Sequence, residues 1–240
     1  MTSGYVLSRY VTINGAMDLP AIPRLCAICG KRKPKRFCPG VHGDICPLCC
    51  GTEREVTVHC PLDCVYLQES RKHEVPPQVD ARDVPNVDIK VDEAFLHRNE
   101  PLLILLASAM ARAALIPGSG IVDSDVKAAL DSLIRTWRTL QSGLVYDARP
   151  DNPIAGRLYT AVRESIEEIR RKLSEHGQTL RDSDILGVVV FLQRLELQHN
   201  NGRLKSRAFI DFLRAFFPAA KPSDNIVSGD QPGSGLILTP

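Results

Sequence analysis

The residues best suited to chemistry are crowded into one stretch. All eight cysteines of the 240-residue chain fall between Cys26 and Cys64, and the 176 residues that follow contain none. Their order is Cys26-x2-Cys29, Cys38, Cys46-x2-Cys49-Cys50 and Cys60-x3-Cys64, with His42 and His59 close by. A two-residue gap lets two thiolates from one tight turn reach the same ion at about 2.3 Å, and zinc prefers four sulfur or nitrogen ligands. Eight thiols fill two such shells, so the count predicts two zinc ions per chain. Gly30 and Gly51 each follow a cysteine, and a knuckle turn often needs the positive φ that glycine adopts cheaply. Cys60-Pro61 reads as a helix start that places Cys64 on the same face, where a helix N-terminus favours thiolate over thiol.

Two partitions of the ligands use the same residues. In the interleaved one, Cys26, Cys29, Cys46 and Cys49 form the first site; Cys38, Cys50, Cys60 and Cys64 form the second, with His42 as the alternative to Cys50. In the sequential one, the first site takes Cys26, Cys29, Cys38 and either Cys46 or His42. The interleaved form is preferred because it sets two knuckles face to face. This order of paired, lone, paired and helix-borne cysteines resembles the cross-brace and treble-clef zinc fingers, such as the B-box, MYND and HIT modules. Residues 46–67, with Cys49-Cys50-Gly51-Thr52 and Cys60-Pro61-Leu62-Asp63-Cys64, also look like bacterial zinc-finger-like proteins. The resemblance to the cross-brace families implies binding of proteins, or of nucleic acid, rather than catalysis.

Other uses of the cysteines fit less well. A disulfide framework suits a small secreted domain, whereas this chain shows no basic-then-apolar leader in its first 20 residues and has a large cysteine-free part. Cys46-Pro47-Leu48-Cys49 has thioredoxin-like spacing but no surrounding strand-helix pattern, and eight cysteines grouped in knuckles suit two zinc ions better than one iron-sulfur cluster. Zinc in model fingers contributes on the order of 10 kcal/mol to folding, and full thiolate shells leave no open position for water activation.

Between the first knuckle and Cys38 runs Lys31-Arg32-Lys33-Pro34-Lys35-Arg36, five positive charges in six residues, followed by Phe37. Clustered cations neutralise phosphates, and an adjacent aromatic ring stacks on a base. The competing and preferred reading is local charge balance against the metal-bound thiolates.

The elements that must position these groups follow from composition and periodicity. With 44% hydrophobic and 24% charged residues and a formal charge of +2, the chain is a folded one with no global bias toward nucleic acid. The longest apolar stretch, residues 102–116, is interrupted by Ser108 and Arg112 and is too short to span a bilayer, which with the missing leader predicts a cytoplasmic protein. The expected organisation is an N-terminal segment (1–23), a two-zinc finger (24–74), a Pro/acidic linker (75–92), a helical bundle (93–218) and a flexible C-terminal tail (219–240). The linker carries Pro76, Pro77, Pro85 and the acids Asp80, Asp83, Asp88 and Asp92.

In the bundle, one helix opens at Glu100-Pro101 and stops at Pro117, and a second, capped by Ser124, ends at Gly143. A third is capped by Asn152 and closed by Gly177, and a fourth begins near Ser183 with apolar residues on nearly every side. A fifth, 206–217, turns Phe209, Phe212, Leu213 and Phe216 inward. Trp137 reads as core, and His199 as a surface residue near a helix end. The fold class is a small α+β two-zinc finger followed by an all-α bundle of about five helices. No Walker lysine, His-Glu-x-x-His or serine elbow is visible, so the expected role is a non-enzymatic zinc-binding interaction or regulatory protein whose helical domain binds a protein partner or self-associates. The alternatives are a nucleic-acid-binding regulator using residues 31–36 and an enzyme with its site in the helices.

Overall fold

A computed structural model describes residues 25–75 and 77–217; the N-terminal segment, Pro76 and the C-terminal tail with its Leu236, Ile237 and Leu238 lie outside the described residues. The cysteine-rich part contains a two-stranded antiparallel sheet, β1 (Arg36–Cys38) and β2 (Gly43–Ile45), in which Phe37 faces Asp44. Two short helices follow, α1 (Pro47–Thr52) and α2 (Val65–Arg71). The rest is helical: α3 (Glu93–Arg98), α4 (Glu100–Leu115), α5 (Asp123–Gln141), α6 (Pro153–Glu175), α7 (Asp182–His199) and α8 (Ala208–Phe216). Among the described residues no helix is long and apolar enough to cross a membrane.

Helix boundaries follow local chemistry. Asn152 accepts from the Ile154 amide at 2.9 Å with Pro153 in the first turn, and α6 ends before Gly177 at φ 68°. The α5 start differs from expectation. Val122, not Ser124, is the capping position, because the Asp125 carboxylate accepts the Val122 amide at 3.0 Å. The Asp123 carboxylate reaches instead across to Ser206 Oγ and the Phe209 and Ile210 amides, which caps α8 from another helix. The expected helix start at Cys60-Pro61 is also displaced. Residues 61–64 make a turn closed by the Cys64 amide on the Pro61 carbonyl, and Cys64 becomes the residue preceding α2.

The core sits between α4, α5, α6 and α7, with α8 against α4 and α7. Trp137, Tyr159, Leu130, Ile166, Ile185 and Phe209 are fully buried in it. Phe216, expected inward, is 69% exposed at the end of α8. The aromatic contacts centre on Phe212, whose ring lies 3.8 Å from that of the half-buried His199 and 4.7 Å from that of Phe216. The Pro/acidic segment is held along α5 and α7: Arg138 reaches Asp88 and Asn86, and Arg194 reaches the Asn86 and Ile89 carbonyls. Phe95 of α3 then packs over Gly187, where a Cβ would stand 2.3 Å from the ring.

The cysteine-rich part is docked on the helices through one buried carboxylate. Glu55, fully buried, adopts φ 53°, a strained value for a non-glycine residue. Its carboxylate accepts from Arg71 at 2.8 Å, the Arg207 amide at 3.1 Å and Asn201 at 3.0 Å, while its carbonyl accepts the Lys205 amide at 2.7 Å. Arg71 also pairs with Asp211 of α8, and Leu62 and Leu67 join the main hydrophobic core.

Removing Glu55 leaves Arg71 with Asp211 alone and deprives the Asn201 and Arg207 donors of their acceptor, so Glu55→Ala is expected to cost about 3 kcal/mol in denaturant unfolding. A loss below about 1 kcal/mol would show that the seam contributes little.

A second prediction concerns pH. Burial pushes the Glu196 carboxyl up to about 7, opposed by the Asn200 amide and reinforced by Asp123 and Asp131. Between its ordinary value and 7 the folded chain holds a proton that the unfolded chain has released, so stability falls as pH rises through that window, by on the order of 3 kcal/mol. Glu196→Gln should flatten the slope and unfold at higher denaturant at pH 8; a parental slope would place the titration elsewhere.

Candidate metal centre

The first knuckle is made by backbone. The Gly30 amide donates to the Cys26 carbonyl at 2.8 Å with Gly30 at φ 61°, and the Ala27 amide ties the knuckle to the Asp44 carbonyl of β2 at 2.8 Å. The second pair comes from α1, where Pro47 opens the helix and the Cys46 thiol accepts from the Cys49 amide at 3.4 Å. Gly51, expected in a knuckle turn, lies instead inside α1. The hairpin sets the two pairs face to face, and the Cys46 amide donates to the Cys26 sulfur at 3.2 Å.

The sulfur atoms of Cys26, Cys29, Cys46 and Cys49 all lie within 4.8 Å of one another, a group able to hold a metal ion. A tetrahedron of sulfurs about 2.3 Å from its centre has edges of about 3.8 Å, so closing this set on an ion needs shifts of at most about 1 Å. Burial alone would push the Cys26 thiol up, but the Cys29, Cys46 and Ile28 amides outweigh it and bring it down to about 6. Cys49 goes the other way, to about 12, through burial and the neighbouring thiols. One site thus holds a thiol eager to ionise beside one prevented from doing so. A divalent cation removes that conflict, because it lets all four ionise.

The other four cysteines are arranged more loosely. Cys38, Cys50, Cys60 and Cys64 line one cavity of about 20 Å³, room for a single ion or water. Burial pushes the Cys60 thiol up, against the Glu55 amide, and Cys38 and Cys64 push in the same direction as burial. Cys50 accepts from Arg36 at 3.7 Å and Arg54 at 3.8 Å. His42 is exposed, at φ 55°, and does not line this cavity. All eight cysteines carry free thiols.

Of the five cations in the basic run only Arg36 is half-buried. Arg32 lies against the Cys46 and Cys29 thiols, which raise its pKa, and Arg36 sits between Cys50 and the Tyr66 ring, 3.9 Å from its centroid. Lys31, Lys33, Lys35 and Phe37 face outward. Comparison of the chain with protein-family models, with curated proteins and with solved structures finds no match.

Three contributors were not singled out in the sequence. Glu55 and Arg54 look like ordinary charges in a polar loop. Gly40 carried the better signal, since Pro39-Gly40 marks a turn. A Cβ at Gly40 would stand 2.5 Å from the His59 carbonyl oxygen, so glycine is what lets the hairpin turn reach the segment bearing Cys60. Gly40→Ala is expected to separate Cys38 from Cys60 and cost roughly 1–3 kcal/mol. Thiol labelling followed by peptide mapping should show Cys38 and Cys60 reacting faster than in the parent, with Cys26 unchanged; parental rates at all three would remove that role from Gly40.

Proposed function

We propose that the chain is a non-enzymatic zinc-binding interaction or regulatory protein. Two structural zinc ions hold a finger of the treble-clef, cross-brace kind, and the helical domain offers its surface to a protein partner or to a second copy. The observation that carries the reading is the confinement of four sulfurs from a knuckle and a helix start within 4.8 Å. All-sulfur donors in a tetrahedral shell suit zinc, and a shell of four protein ligands is closed to substrate. Cys38, Cys50, Cys60 and Cys64 are the proposed second shell, supported by the ion-sized cavity they line. Eight free thiols accord with a reducing compartment, so the proposed location is cytoplasmic.

Elemental analysis of untagged protein is the test. Two zinc ions per chain are expected in the parent, one in Cys46→Ser and one in Cys60→Ser. Less than one zinc in the parent sinks the reading; a single zinc, lost in Cys46→Ser and kept in Cys60→Ser, would leave the second cavity without a metal.

A further inference from the structure

We infer that the outer face of the finger is a binding surface for single-stranded nucleic acid, an inference that rests on the structural-metal reading because the metal would hold this face in shape. From Lys33 through β1 to Cys38 exposure alternates: Lys33, Lys35 and Phe37 are exposed while Pro34, Arg36 and Cys38 are half-buried. The two lysines and the aromatic ring therefore share one exposed side of this segment, where they line the same groove. Phe37 is 60% exposed and Leu25 51% exposed, large apolar groups that the described fold leaves in solvent. They border an open groove of about 710 Å³ together with Lys33, Lys35 and Arg36. One acid, Asp44, is also on this groove and lowers its positive charge without reversing it.

The chemistry of this stripe is that of strand binding: cations that track a phosphate backbone, beside a flat ring on which a base stacks. An acidic peptide satisfies the lysines but offers Phe37 a flat face only where it carries an aromatic side chain, whereas every nucleotide carries one. The chain's own ends are poor occupants, because residues 1–24 carry net charge +1 and residues 218–240 only −1. Arg36 is engaged by Cys50 and Tyr66, so it braces the stripe and leaves phosphate contact to the lysines.

The test uses the full zinc-loaded chain, fluorescein-labelled 15-nucleotide oligouridine and oligothymidine, a duplex of the same length, and a glutamate-rich peptide containing leucine. Fluorescence anisotropy is read over a salt series, with zinc measured on the same samples. Saturable binding of the single strands, weakening with salt, is expected. Phe37→Ala should weaken it about tenfold with an unchanged salt slope, and Lys33→Ala with Lys35→Ala should reduce the slope by about 1.4. All three side chains are exposed, so these variants keep the parental fold, checked by circular dichroism. A metal-loaded chain that ignores the strands, prefers the duplex or the peptide, or is indifferent to Phe37 overturns this inference alone. Phe37-dependent strand binding by a chain free of zinc supports it and overturns the metal reading.

Discussion

Four sulfur atoms within 4.8 Å are the constraint on which the finger depends. Its private core consists of Cys26, Ile45, Cys46 and Cys49, with Ile28, Cys29, Cys38 and Cys50 packed around them. Three of those four buried side chains are thus also candidate ligands. So small an apolar inventory cannot offset the conformational entropy of ordering some 50 residues. Free thiols make the deficit worse, since amide donors favour ionisation at Cys26 while burial and crowding oppose it at Cys49. A cation shared by the four sulfurs supplies both the missing cohesion and the missing charge, which is why the proposed zinc is read as part of the fold.

The finger is not a bead on a string. Glu55 accepts three donors in a seam closed to water, and two of them come from the 201–207 loop leading into α8. Leu62 and Leu67 pass from the cysteine-rich segment into the main core. Asp123 ties the same loop to α5, so a disturbance at the α1 turn reaches the bundle through a short series of buried polar contacts. The strained φ of Glu55 is tolerated because those contacts over-determine its position.

The run of residues 31–36 serves two ends. Guanidinium groups carry several donors in a fixed plane and are weakly hydrated, which suits contact with sulfur and with an aromatic ring; ammonium groups are strongly hydrated and stay in water. Arg36 accordingly lies between the Cys50 sulfur and the Tyr66 ring, whereas Lys31, Lys33 and Lys35 are exposed, as is Arg32, whose pKa the Cys46 thiol raises. The sulfur contact of Arg36 fits the charge-balance reading of the run, and Lys33, Lys35 and Phe37 stay exposed beside it.

Much of the helical architecture was legible because it is written in local rules: Asn152-Pro153 at a start, Gly143 and Gly177 at ends, and apolar stripes such as that of Trp137. The two pairs of the first cysteine cluster were legible for the same reason, since each Cys-x2-Cys spacing is local, although the sequence left two partitions of the ligands open and only preferred the one observed. Local rules failed where distant chain supplies the partner. Asp123 leaves its own helix start for α8, and Phe216 lies beyond the surface that α8 buries. Glu55 had no signature at all, because its role depends on residues about 150 positions away. The amino-acid sequence by itself determined which residues can ligate a metal and which segments are helical, both properties of spacing over a few residues. The tertiary structure decided which four sulfurs meet, which cations turn toward them and how the finger sits on the bundle, because those depend on surfaces brought together only by folding.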